Sequence, residues 1–233
     1  MKRLLQGAAA AFTMALLPQL ASAQDNEKSI AVKGGIEVKG WMGKVDDREA
    51  KAGLTENDAK FFAMGKDLHA TTGPSITYWN PTMQGTGDYM VKATFTEREY
   101  MALNNHPHPY GLIIAGSGMG TANASYLYCA AYGNGNFIVR GFGPTPFQMN
   151  GPRGGTDPAV NKAEGKGKPV TQEIAMSVKG DKVSCLINGK EVASYPKSDV
   201  LGAGKLKSTD GVVGIRMGHN TDAHIAGFTL GKP

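Results

Sequence analysis

Residues 89–96 read YMVKATFT, and this stretch sets the pattern for most of the chain. Its odd-numbered positions carry Tyr, Val, Ala and Phe, whereas Lys and Thr dominate the even positions, so one face is apolar and the other polar. An alternation with a period of two is typical of a β-strand with one buried face. Further strand-like runs follow at 110–115, 124–132, 137–142, 173–178, 182–187, 212–217 and 224–230. Because Gly-rich turn signals separate these runs, we predict an all-β protein, a jelly-roll β-sandwich of two antiparallel sheets.

Composition narrows the class of protein further. The chain has 233 residues, of which 41 % are apolar and 19 % are charged. The apolar content excludes a disordered chain, and the low charge excludes a long helical coil. The net charge of +5 is not gathered into any block of like charges, so we do not expect a nucleic-acid partner. The sequence does not indicate an oligomeric state.

The N-terminal residues have the pattern of an export signal. Lys2 and Arg3 are followed by an uncharged stretch over residues 4–17, and Ala21-Ser22-Ala23 is a small-residue cleavage site. The apolar stretch is shorter than the roughly 18 residues that a membrane span requires, so we expect no membrane span. We therefore predict a cleavable signal peptide over residues 1–23, a single domain over 24–233, and a periplasmic or secreted location.

The two cysteines lie in strand-like runs. Alternation puts Cys129 on the same face as Leu127, and Cys185 on the same face as Val183 and Ile187. Both thiols therefore belong to the predicted core. A disulfide and two separate buried thiols are both consistent with this pattern in a compartment that permits disulfides.

Two segments do not follow the alternation. Residues 55–68 begin like a capped helix, because Thr55 precedes Asp58 by three positions, but a hairpin over residues 61–71 fits equally well. Residues 143–171 are rich in Gly and Pro, and a loop of this length inside a compact domain is usually functional or mobile. We interpret it either as a lid over a site or as a surface excursion.

Several scaffold motifs resemble those of a known superfamily. They are GDYMVKATF at 87–95, HPYGLI at 108–113, the hairpin over 126–140, VKGDKV at 178–183, INGKEV at 187–192 and GVVGIR at 211–216. Together they resemble the concanavalin A-like lectin/glucanase superfamily over roughly residues 39–230, and most closely its 3-keto-disaccharide hydrolase-like branch. The resemblance implies the jelly-roll fold and a saccharide partner.

The sequence departs from this superfamily in its chemistry. The superfamily's glucanases carry an E-x-D-x-x-E run, and the legume-type lectins carry a metal loop; both patterns are absent here. Glu97-Arg98-Glu99 comes nearest to the carboxylate run, and we interpret it as a solvated turn. Ordinary glycoside hydrolysis by two positioned carboxyl groups is therefore not predicted.

Four histidines are the candidate catalytic residues. His106 and His108 precede one predicted strand, and His219 and His224 lie in or beside the turn between the last two. Imidazoles can act as acid/base groups or metal ligands, and Asp222 could orient one of them. Loop histidines that only bond to the backbone are the simpler interpretation. Since no zinc signature is present, no metal ligand is assigned, although a divalent metal is kept open as a cofactor.

The candidate substrate-binding residues are aromatic and polar. Tyr126, Tyr128 and Tyr132 share the face opposite the apolar one, where their rings and hydroxyls could contact a sugar. Ordinary β-propensity explains the same pattern. The polar candidates are Arg140, Arg216 and Asn220.

Three functions follow from these observations. The first is an exported saccharide-binding domain that docks a glycan on the tyrosine- and arginine-lined sheet face. The alternative is an enzyme acting on 3-keto-glycosides or 3-keto-disaccharides, in which a histidine base, with or without a metal, replaces the carboxylate pair. A further alternative is a structural envelope protein. Convergence of at least two of the histidines near the tyrosine face favours the enzyme, and their dispersal favours binding.

Overall fold

The computed structural model describes residues 27–233. The predicted signal peptide therefore lies outside the described residues. Within residues 27–233, no helix has the length and apolar character needed to cross a bilayer.

Strands make up most of the described chain. In order they are β1 (Gly35–Ile36), β2 (Met42–Val45), helix α1 (Asp47–Lys51), a 3₁₀ helix (Glu56–Asp58), β3 (Ala59–Met64), β4 (Asp67–Thr72), β5 (Ile76–Gly85), β6 (Tyr89–Glu97), β7 (Tyr110–Ser117), β8 (Ser125–Ala131), β9 (Asn136–Phe142), β10 (Phe147–Gln148), β11 (Gly155–Thr156), β12 (Val170–Lys179), β13 (Lys182–Ile187), β14 (Lys190–Pro196), helix α2 (Lys197–Val200), β15 (Gly211–Met217) and β16 (Asp222–Gly231).

The strands form two sheets packed face to face. Sheet I has the order β1-β3-β4-β16-β6-β12-β13-β14, and sheet II the order β10-β9-β8-β7-β15-β5-β2, with β11 paired to β9. Apart from the parallel pair β1–β3, the pairs within these sheets are antiparallel. The predicted jelly-roll β-sandwich is thus confirmed.

The core lies between the sheets and follows the predicted alternation. The apolar odd positions of β6 are buried, from Tyr89 to Phe95. Phe95 of sheet I stacks on Tyr110 of sheet II at 5.5 Å, and Phe61 on Tyr78 at 4.3 Å. Burial of such large aromatic side chains contributes strongly to the stability of the fold.

A disulfide links the two sheets. Cys129 of β8 and Cys185 of β13 are bonded, with their Cα atoms 6.0 Å apart, and both are buried. Of the two interpretations left open by the sequence, the structure adopts the bridge.

The two irregular segments have regular parts. Thr55 and Asp58 form a capping box, but the helix that they cap is a 3₁₀ helix of three residues, and the hairpin β3–β4 follows at once. In the segment 143–171, β10 and β11 both pair with β9, so this segment is fastened along the edge of sheet II.

Glu97 does not lie in a solvated turn, and that prediction was wrong. The strand β6 continues through it, so Glu97 takes an inward position and is only 4 % exposed, whereas Glu99 is exposed. Burial, together with the charge of Asp222, raises the pKa of Glu97 to about 8.

Reduction of the disulfide is expected to lower the free energy of unfolding by about 4 kcal/mol, because the bridge closes a loop of roughly 57 residues in the unfolded chain. Urea unfolding with and without reductant measures this. The double variant Cys129→Ala/Cys185→Ala is the control, since its midpoint must not respond to reductant. An unchanged wild-type midpoint after verified reduction would contradict the prediction.

Glu97 is expected to make stability fall as pH rises. Its pKa is about 8 in the fold and 4.5 ordinarily, so the folded state binds the extra proton between these values. The free energy of unfolding should therefore drop by a few kcal/mol between about pH 4.5 and pH 8, then level off. Glu97→Gln should flatten this part of the profile and be more stable than wild type at pH 8. The exposed Glu99→Gln is the matched control; an equal effect there would refute the assignment.

Candidate functional site

Two histidine-bearing loops meet at one end of sheet II. His108 lies just before β7, and His219 lies just after β15. These strands are antiparallel neighbours with Tyr110 opposite Met217, so the end of one lies beside the start of the other. The Gly218 N–H donates to the Pro109 carbonyl at 2.7 Å and fixes the loops side by side.

Three of the four predicted histidines converge there with a carboxylate. The ring centroids of His108 and His219 are 3.8 Å apart, and those of His106 and His108 are 4.3 Å apart. Glu27 Oε2 lies 3.0 Å from His108 Nε2. One ligand atom from each of these four residues lies within 4.8 Å of the other three. We call Glu27, His106, His108 and His219 the histidine cluster.

Asn220 positions the segment that supplies Glu27. Its side-chain oxygen accepts from the Ile30 N–H at 2.8 Å, and its amide nitrogen donates to the Lys28 carbonyl at 3.0 Å. Gly73 lies beneath this segment, and a Cβ there would stand 2.4 Å from the Ile30 carbonyl oxygen, so only glycine permits the approach. The Asn220 amide, predicted to bind substrate, therefore engages the backbone beside the cluster.

The carboxylate of Glu27 is stabilised in its charged form. Partial burial on its own would raise the pKa, but hydrogen bonds from His108 and the Asn105 N–H, with the charge of the imidazoles, bring the pKa of Glu27 below its ordinary value. The cluster therefore combines one carboxylate with three nitrogen donors.

A cavity of about 390 Å³ borders the histidine cluster. Glu27 and His219 line it together with Asp46, Arg48 and Glu49. The Glu49 carboxylate accepts from the Ser75 N–H at 2.7 Å. Burial and the neighbouring charge of Asp46 raise the pKa of Glu49 to about 7. A carboxyl group of this kind can hold or release a proton near neutral pH.

Arg216 lies on the outer face of sheet II and is buried. Its guanidinium makes a bidentate pair with Asp46, with Nη1 2.6 Å from Oδ1, and it sits over the rings of Tyr128 and Phe142 at 5.8 and 5.6 Å. Burial alone would lower the pKa of Arg216, but the Asp46 carboxylate reverses this and raises it.

The tyrosines occupy the predicted face. Tyr126 and Tyr128 lie opposite the core side of β8, yet each is only 6 % exposed, and the Tyr126 hydroxyl is 3.0 Å from the Thr77 hydroxyl. Tyr132 and Arg140 are half-buried, and Arg140 donates to the Pro152 carbonyl at 2.8 Å.

A second cavity lies over this face. Its volume is about 370 Å³, Tyr126 and Phe142 line it, and it shares Asp46 and Arg48 with the first cavity. Pro144 and Pro146 also line it, so the segment 143–171 borders this cavity at its start. Two short strands of the segment, β10 and β11, pair with β9.

The fourth predicted histidine lies elsewhere. His224 belongs to β16 in sheet I, where its Nε2 is 3.3 Å from Asp67 Oδ2. Asp222, expected to orient an imidazole of the site, instead contacts His69 at 3.1 Å and accepts from Thr71. Glu27, Asp46 and Glu49 were not predicted as site residues, because no local pattern in the sequence marks them.

Comparison with known structures identifies the fold. A carbohydrate-binding module, CBM66 from Bacillus subtilis, matches with a TM-score of 0.50 and 10 % identity over 84 % of this chain and 98 % of its own. A Bacillus subtilis protein of unknown function with a galectin-like fold matches with a TM-score of 0.57 and 14 % identity over 84 % and 90 %. The exoplasmic/lumenal domain of VIP36, in its Ca²⁺/Man₃GlcNAc-bound form, matches with a TM-score of 0.50 and 8 % identity over 83 % of this chain and 84 % of its own.

The chain has the concanavalin A-like fold. The resemblance seen in the scaffold motifs is confirmed at the level of the fold. At these identities the likeness establishes the fold alone. No protein-family model matches the sequence, and neither does any curated protein.

Asp46→Asn is expected to cost about 3 kcal/mol of stability, because it leaves the buried Arg216 guanidinium without its counter-charge. The matched control is Asp47→Asn, whose side chain is 71 % exposed and pairs with Lys44 at 3.2 Å. Its loss should cost less than about 1 kcal/mol. Chemical unfolding measures both. Equal small effects would show that the Arg216–Asp46 pair is solvated rather than buried.

Proposed function

We propose that this chain is an exported saccharide-binding protein that docks its glycan over the outer face of sheet II. The observation that carries the proposal is the pair of cavities that meet at Asp46 and Arg48. Their volumes of about 390 and 370 Å³ are in the range of small-molecule sites. Tyr126 and Phe142 provide apolar ring surface, and Arg48 and Asp46 provide hydrogen bonds, which is the combination that sugars require.

Two of the proteins with a similar fold support a saccharide-binding function. One is described as a carbohydrate-binding module, and another was solved with Man₃GlcNAc bound. In this chain, Arg216 and Tyr128 act behind the site by packing and by fixing Asp46. Tyr132 packs against the same aromatic cluster, and Arg140 lies opposite Tyr128 on β9.

Export is the second part of the proposal. The predicted cleavage after Ala23 would retain Glu27 in the processed chain, and a disulfide between the sheets suits an oxidising compartment. The mass of the protein purified from the periplasm or medium identifies the cleavage point.

An enzyme acting on 3-keto-glycosides is the second candidate, and one specific observation favours it. Three histidines converge, but they lie beside the cavity that contains Glu49 rather than the one that Tyr126 lines, and the pKa of Glu49 is about 7. A ketone acidifies the neighbouring C–H bond, so an imidazole could accept that proton. The electron pair left on carbon would form the C=C bond as the glycosidic C–O bond breaks, and protonated Glu49 would donate its proton to the leaving oxygen.

Binding is tested by titrating the full chain, as the cell processes it, with a glycan panel under calorimetry. Arg48→Ala should weaken binding at least tenfold, because Arg48 lines both cavities. Phe142→Leu should weaken it several-fold by removing ring surface. Each has a matched control: Lys51→Ala in the same helix, and Phe62→Leu on sheet I. Both controls should bind like wild type.

The same samples distinguish the two candidates. Products from ordinary and 3-keto disaccharides are followed by mass spectrometry. Intact sugars with saturable binding support the binding protein. Cleavage of the keto sugars alone, abolished in Glu49→Gln, supports the enzyme. Absence of both binding and cleavage across the panel would overturn the proposal.

A further inference from the structure

The geometry points to a divalent transition-metal site formed by Glu27, His106, His108 and His219. The four residues come from three separate segments of the chain, and one ligand atom of each lies within 4.8 Å of the other three. Around a zinc ion with Zn–N distances of about 2.0–2.1 Å, tetrahedral ligand atoms stand about 3.4 Å apart. Side-chain movements of about 1 Å would therefore bring the four ligand atoms to the separations that a tetrahedral zinc ion requires. The inference stands independently of the proposed saccharide function.

The donor types select the class of ion. Three imidazole nitrogens with one carboxylate oxygen suit Zn²⁺ and its neighbours Co²⁺ and Ni²⁺. Calcium and magnesium take oxygen ligands almost exclusively, so this set is poorly matched to either. We therefore assign the site to Zn²⁺ or a similar transition-metal ion rather than to Ca²⁺.

The surrounding residues hold the donors in place. His108 lies between Pro107 and Pro109, whose rings limit the conformational freedom of the loop. The Asn105 side-chain oxygen is 2.6 Å from His106 Nδ1, the nitrogen that also lies 3.4 Å from Glu27 Oε2, and this contact restricts the orientation of the ring. The Asn105 N–H donates to Glu27 Oε1 at 2.8 Å, which orients the carboxylate. Such outer contacts are typical of metal sites.

The position of the cluster gives the ion access to a ligand. Glu27 and His219 line the cavity that also contains Glu49 and Ser75. A metal held by the cluster would therefore border this cavity, as catalytic ions do, and would not be enclosed like a structural one. Its role would be to bind or polarise an oxygen of a molecule in the cavity.

Zinc binding is the direct test. The full chain, processed by the cell and purified without a polyhistidine tag, is stripped with chelator, equilibrated with Zn²⁺ and analysed by elemental mass spectrometry and calorimetry. We expect one Zn²⁺ per chain and no comparable binding of Ca²⁺. The Co²⁺-loaded protein should show visible absorption bands typical of nitrogen and oxygen ligands. No saccharide is present, so this outcome is separate from that of the glycan titration.

Variants identify the ligands. His108→Ala and His219→Ala should abolish stoichiometric binding, and Glu27→Gln should weaken it ten- to a hundredfold. His224→Ala and His69→Ala, on sheet I, are the matched controls and should keep one Zn²⁺. If the buried variants fail to fold by circular dichroism, His106→Gln replaces them, because that side chain is 43 % exposed. Absence of Zn²⁺ in the wild type, or equal loss in the controls, would overturn the inference.

Discussion

The hydrogen bond from the Gly218 N–H to the Pro109 carbonyl, 2.7 Å long, holds together the two loops on which the candidate site depends. A Cβ at position 218 would stand 2.9 Å from Pro109 and 3.0 Å from His108, so glycine is required for this approach. The bond continues the ladder between β7 and β15. The register of β7 against β15 therefore determines how close His108 lies to His219.

A second constraint brings the N-terminal segment into the same place. Asn220, one residue beyond His219, has a φ of 48° and bonds to both Lys28 and Ile30. The left-handed conformation suits Asn better than most residues, and its short amide reaches the segment from there. One turn therefore supplies an imidazole and also positions the carboxylate of Glu27. The site is thus assembled from the ends of two strands and from an N-terminal segment that is bonded to them.

Strands and faces that depend on residues close together in the sequence could be predicted. Contacts that depend on how distant strands pair could not. Alternation identified β6, the β8–β9 hairpin and the tyrosine face, since each is local. It could not reveal that His219 meets His108, because this follows from strand register across more than a hundred residues. Glu27 and Asp46 carry no local signal at all. Glu97 was misplaced because β6 extends to it. His224 does lie in the predicted last strand, but alternation could not reveal that this strand, β16, belongs to sheet I, away from the other three histidines.

The Arg216–Asp46 pair fixes a carboxylate where the two cavities meet. Removing two charges from water costs several kcal/mol per ion, and apolar residues of similar size often stabilise a protein as well or better. Here the pair lies on the outer face of sheet II, where Arg216 packs against aromatic rings. An apolar side chain in its place could have packed against the same rings. What apolar residues could not supply is a fixed carboxylate at the junction of the two cavities. Arg216 holds Asp46 in one orientation, and the charge of Asp46 in turn helps to raise the pKa of Glu49 towards neutrality. The pair thus connects the aromatic face to the cavity beside the histidine cluster, and this explains its placement better than a contribution to folding does.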